Sequence, residues 1–146
     1  MSGWHFNNLL TAVIIATTAA AWWKGGWPER IGASLNLAIT LAVVVLQATV
    51  RHEGLGPWLL GADAALGVGF LILAVRYASL WLGVAMLLQA GQFSLHAFYD
   101  VTARPIDRLF IVVNNVVSWS VLLCILAGVA ASWIQSARAA RTQDLD

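Results

Sequence analysis

The chain has 146 residues, of which 60% are hydrophobic and only 10% charged, with a net charge of +1 and a mean hydropathy of +0.79. Soluble domains carry about 25% charged residues, so this composition argues against a water-soluble domain. The near-neutral balance, without a basic stripe, gives no electrostatic case for nucleic acid. The single cysteine, Cys124, excludes an intrachain disulfide and a multi-cysteine metal site. Inside an apolar run it behaves as a small hydrophobe.

The hydropathy pattern predicts an all-α, polytopic transmembrane helical bundle in one domain, with five spans at about 7–23, 31–50, 58–75, 78–99 and 109–134. Segment one has no Lys or Arg before it and ends at Trp22, Trp23 and Lys24, where indoles sit at headgroup depth and the ammonium reaches water. Pro28 suits the first turn of the next helix, and Glu29 complements the positive end of its dipole. Segment two carries Asn36, Thr40 and Gln47 on one face. Segment three has Gly61, Ala65 and Gly69 at four-residue intervals, a face that lets another helix approach closely. Its one internal charge is Asp63. Only a few residues separate it from segment four, so the two predict a tight antiparallel hairpin.

Segment four organises the rest. It begins apolar at Tyr77 and ends with Gln89, Gln92, His96 and Asp100. At about 100° per residue these four share roughly one quarter of the helix surface. Such a stripe cannot face lipid, where each unpartnered polar group costs several kcal/mol. Segment five adds Asn114 and Ser118 on one face, and the polar tail 135–146 is expected to fray.

Five spans put the N-terminus and the second and fourth connections on one side, with Arg51, Arg104 and Arg108. The other side holds Lys24, Arg30, Arg76, Arg138 and Arg141. With a bacterial inner membrane as the expected location, the positive-inside rule puts the N-terminus in the periplasm and the C-terminus in the cytoplasm. Whatever the orientation, His5, His52, His96, Glu53, Asp63, Asp100 and Asp107 fall toward one membrane face. The opposite half reads as nearly all aliphatic, with Asn36 as the main exception.

These residues support three kinds of site. Asp63, Gln89, Gln92, His96, Asp100 and Asn114 form a polar seam, a ligand or proton site if hydrated and a set of interhelical hydrogen bonds if not. For Asp63 the structural alternative is an ion pair with Arg51, Arg104 or Arg108, or a hydrogen bond from an Asn of segment five. His5, His52, Glu53, His96 and Asp100 are the candidates for a metal, although no recognised ligand spacing occurs. Two histidines could also hold a haem, for which only His96 lies inside a helix. No cofactor follows from the sequence, and no nucleophile constellation is recognisable.

Two family resemblances bear on this. Five predicted spans and eight Trp are similar to the tryptophan-rich sensory proteins, which bind porphyrin-like and sterol ligands. The proline- and Trp-rich segment of that family is not reproduced by residues Trp22 to Pro28. Glu29 to Ala33, then Asp63, then Gln89 with His96, resemble a group of small bacterial multispan inner-membrane proteins without assigned function. That resemblance implies a membrane bundle and no activity. The expected function is a non-catalytic accessory or scaffold subunit, partnered by lipid and by other membrane subunits or further copies of itself. The alternatives are a small transport or ligand-binding module with a polar cleft, and a membrane-embedded metal or haem redox protein.

Overall fold

The computed structural model describes residues 3–49 and 55–143, with side chains for 9–49 and 55–141. Five helices follow one another: α1 (Gly3–Lys24), α2 (Trp27–Thr49), α3 (Gly56–Tyr77), α4 (Leu80–Val101) and α5 (Arg108–Gln143). No strand occurs among the described residues. Three of the helices, α2, α3 and α5, are long and apolar enough to cross a membrane. Helix α4 is not among them, and its polar side chains Gln89, Gln92, Ser94 and His96 are the reason.

The helix ends follow local chemistry. Pro57 lies in the first turn of α3, where its missing N–H costs nothing. The α3–α4 hairpin turns on Ala78 and Ser79 alone. Ala78 adopts a left-handed backbone (φ 48°) and donates its N–H to the Ala74 carbonyl. A Cβ in that region costs about 1 kcal/mol that glycine avoids. Ala78→Gly is therefore expected to raise the thermal midpoint or leave it unchanged; a clear fall in a detergent melt would contradict the turn. The tail expected to fray continues α5 to Gln143. Ala and Arg dominate residues 137–141, and both are strong helix formers.

Spatial order follows chain order. Each helix packs on the next, and α5 also packs against α1, closing a five-membered ring, with further contact between α2 and α5. Helices adjacent in sequence run antiparallel, which leaves α1 and α5 parallel. One half of the bundle is solid. Phe70, Leu82, Ala85, Ile125 and Ala33 are almost wholly buried there, with Ala21, Leu73 and Val129 around them. Leu35 of α2 presses on Gly69, where an added Cβ would lie 2.2 Å from its Cδ2. Of the small-residue face on α3 only Gly69 is so engaged; Gly61 and Ala65 are exposed.

This half also holds an element that the sequence did not announce. Trp81 reaches across from α4, and an added Cβ would lie 2.9 Å from its ring at Gly32 of α2 and 2.6 Å from its Nε1 at Gly128 of α5. Its indole N–H donates to Glu29 Oε1 at 3.1 Å. Glu29 Oε2 accepts the Gly26 N–H at 2.9 Å, the return half of a capping box. Glu29 is only 5% exposed. Expected to complement the helix dipole, it stands in the first turn of α2 as expected, and in addition it is buried and ties α2 to α4. The half expected to be aliphatic therefore contains a buried carboxylate. Around the same end, Lys24 lies 5.2 Å from the rings of both Trp23 and Trp133.

Candidate functional site

The other half of the bundle is hollow. A cavity of about 370 Å³ lies among all five helices, on the side of the α1 N-terminus and of the α2–α3 and α4–α5 connections. This is the half to which parity assigned the polar groups. Its walls are mixed: Ile14, Ile39, Val43, Leu59 and Phe110 are apolar, and Asn36, Thr40, Asp63, Gln89, Gln92, His96 and Asn114 are polar. Toward the rim, Val44, Gln47 and Ile106 are exposed. A second hollow of about 310 Å³, beside Trp133 and Arg138, is lined by α5 alone, so no other helix encloses it.

At the centre is Asp63. Its Oδ1 accepts a hydrogen bond from Gln89 Nε2 at 3.0 Å. Its Oδ2 is in close contact with His96 Nδ1. The side chains of His96 and Asp63 are 12% and 11% exposed, and Gln89 as a residue is 2% exposed. Helical periodicity places Gln89 and His96 on one face of α4, two turns apart, so that the pair brackets a single carboxylate on α3. One turn along, Gln92 Nε2 donates to Asn114 Oδ1 on α5 at 3.0 Å. Ser118 donates back to the Asn114 carbonyl at 2.9 Å, and the His96 ring stacks on Phe110 with centroids 4.9 Å apart. The seam thus joins α3, α4 and α5.

Asp100 does not belong to it. It is exposed, and its Oδ1 would lie 2.6 Å from a Cβ at Gly56, which puts the carboxylate beside the start of α3. An anion is favourable at that helix N-terminus, and by Asp100 the helix has passed the cavity. Of the partners expected for Asp63, Arg104, Arg108 and the Asn side chains of α5 do not meet it, and Arg51 lies outside the described residues. A glutamine and a histidine of α4 meet it instead. Asn36, assigned to the opposite half, lies mid-way along α2 and lines the cavity. As a residue it is 7% exposed.

Asp107 caps α5 by accepting the Phe110 N–H at 2.9 Å, and it accepts the Tyr99 hydroxyl at 2.7 Å. The Tyr99 hydrogen bond first, then the Phe110 amide, hold its carboxyl below the usual carboxylate range; partial burial opposes them and the Arg104 guanidinium adds to them. These bonds fix the connection that carries Ile106 over the rim.

Among the described residues no three His, Cys, Asp or Glu side chains come together as metal ligands. Of the metal and haem candidates, His52 and Glu53 lie outside the described residues, and so does the side chain of His5. Cys124 is half-buried on α5, away from the cavity lining. No protein-family model matches the chain, and neither does any curated protein or solved structure.

Proposed function

We propose that the chain is a small integral protein of a bacterial inner membrane, crossing it five times, whose hollow half binds or passes a small ligand. The observation that carries this reading is the Asp63–His96 pair set in the wall of a cavity that all five helices line. A bundle that only had to pack would fill such a space, because interiors are packed nearly to crystal density. An ionisable pair at membrane depth is costly and marks ion or substrate paths. Helices α1 and α4, with 22 residues each, are about 33 Å long and reach across a hydrocarbon core of about 30 Å. The polar face of α4 is turned to the cavity, which removes the objection to placing it in lipid. The N-terminus is periplasmic and the tail cytoplasmic on the distribution of Lys and Arg.

A thiol at Thr40, on the cavity wall, tests both the opening and the orientation. In a Cys124→Ala background, Thr40→Cys is expected to react with a membrane-impermeant thiol reagent added from the periplasmic side. Reaction only from the cytoplasmic side would reverse the topology. No reaction from either side, with the protein folded, would close the cavity and end the binding reading.

A second reading, the accessory subunit, is supported by the exposed Gly61 and Ala65 on α3, where another helix could approach closely. Co-purification of one partner at fixed stoichiometry after gentle extraction would favour it.

A further inference from the structure

We infer that the cavity takes a small organic monocation, an amine or quaternary ammonium with an apolar body, in exchange for a proton carried by the Asp63–His96 pair. The inference rests on the reading of the cavity as a ligand site and adds the chemical class of the ligand.

Charge is the first consideration. Among the described residues that line the cavity, Asp63 and His96 are the only ionisable side chains, and no described Lys or Arg lines the wall. An anion would meet a carboxylate with no fixed cation to offset it. The pair itself is neutral only while His96 is imidazolium. Once that proton leaves, the cavity holds one net negative charge in surroundings where an uncompensated charge is costly. A monocation and the proton are therefore interchangeable occupants of one electrostatic position.

The other charged groups among the described residues are distant from that position or turned away from it. On α4, Asp100 is exposed beside Gly56. In the α4–α5 connection, Asp107 is held by Tyr99 and Phe110, and Arg104 lies 5.9 Å from the Tyr99 ring centroid. Arg108, at the start of α5, is exposed. Among the described side chains, α1 and α2 bring Lys24, Glu29 and Arg30, all at the opposite end of the bundle.

Polar geometry and size agree with this. Each Asp63 oxygen accepts one hydrogen bond, and a carboxylate has about four acceptor positions, so two remain for a ligand. Asn36, a residue only 7% exposed, adds an amide side chain to the same wall. A cavity of about 370 Å³ with aliphatic walls is far too large for a bare metal ion, and it lies at the small end of ligand pockets, roughly 300–1,000 Å³. An apolar body beside the charge fills it. Phe110, in the same wall, packs on the His96 ring and adds apolar surface beside the pair.

The exchange changes no covalent bond beyond one N–H. The imidazolium of His96 releases its proton to solvent, the cation enters beside Asp63, and net charge in the cavity is conserved. Calorimetry on the full-length protein in detergent tests it, with choline as the cation and 3,3-dimethylbutan-1-ol as its neutral isostere. Choline is expected to bind more tightly as pH rises, by about tenfold per unit while His96 is protonated, and then to level off. About one proton should be released per choline bound in the rising range, read from buffers of different ionisation enthalpy. His96→Gln should abolish the pH dependence and the proton release while keeping choline binding at its high-pH strength. Asp63→Asn should weaken choline by about tenfold or more and leave the alcohol unchanged.

If the alcohol binds as tightly as choline, or choline binding ignores pH and Asp63→Asn, the cavity remains a ligand site and the monocation assignment is overturned. If neither probe binds at any pH, while the Thr40→Cys thiol is reactive, the cavity is open but takes no ligand of this class, and the assignment again falls. If neither binds and the thiol is silent, the binding reading falls with it.

Discussion

Replacing Gly128 by alanine is expected to lower the thermal midpoint of the purified protein. Helix propensity alone predicts the opposite, since alanine is better than glycine in a helix interior by about 1 kcal/mol. At Gly128, however, the new Cβ would sit 2.6 Å from Nε1 and 2.7 Å from Cε2 of Trp81. The indole cannot yield as the tip of a flexible chain would, because Gly32 confines its far edge. Overpacking of this kind costs about 1–3 kcal/mol. Pushing the indole aside also takes its N–H from Glu29, and a buried acceptor left unpaired costs about 1–3 kcal/mol more. The sum exceeds the propensity gain, so the sign of the effect reports whether Trp81 is seated. Gly83→Ala is the control, because no atom lies within 4 Å of its new Cβ and a small gain is expected. Gly128→Ala with Trp81→Phe should cost less than the two single changes added, measured as a double-mutant cycle. A Gly128→Ala protein more stable than wild type would show that the indole does not occupy this gap.

The second large effect is at Asp63. Asp63→Leu is expected to destabilise the bundle by about 2–5 kcal/mol, because it strands two groups that cannot easily find water. Gln89 suffers most: at 2% exposure its amide has no alternative partner once the carboxylate is gone. His96, at 12%, is partly relieved by the cavity. Asp63→Asn keeps an oxygen to accept from Gln89 and offers an N–H to a neutral His96, so it should fold with a midpoint near wild type. Detergent melts of the three proteins side by side check the order. If Asp63→Leu melts with the wild type, Asp63 faces lipid or bulk water and the seam is wrongly drawn.

Much of this was legible in the chain, for identifiable reasons. Hydropathy and the Trp and Pro punctuation predict five helices, and five form, with ends within a few residues except at α5. There the polar tail reads as frayed because it lacks apolar residues, yet Ala and Arg sustain a helix without burial. Parity alone brought Asp63, Gln92, His96 and Asn114 to one end, because alternation of direction is insensitive to packing detail, and helical angle added Gln89 to them. It could not say which partner Asp63 takes: that depends on the rotation of α3 against α4, which no periodicity fixes. Asp100 shared the stripe by angle but lies one turn too far along, since a helical wheel discards depth. Asn36 was misplaced because α2 starts at Trp27, four residues before the predicted span, which moves Asn36 to mid-helix. Glu29 had a signal, a Gly at the N-cap three residues before a Glu, but its second partner is Trp81, fifty-two residues away.

The ring of helices in chain order sets a sequence in time. Each helix finds its neighbour in the segment synthesised just before it, so most of the bundle can assemble as it emerges, from contacts of short loop closure. The Asp63–His96–Gln89 cluster needs only the α3–α4 hairpin, and so the Asp63–His96 contact can form before α5 exists. The cavity is different. Its wall requires Phe110, Asn114 and Ser118 of α5, and α5 reaches α1 only after the four helices before it have been made. A half-made bundle therefore already has its chemistry shielded, while the chamber around that chemistry is the final act of assembly.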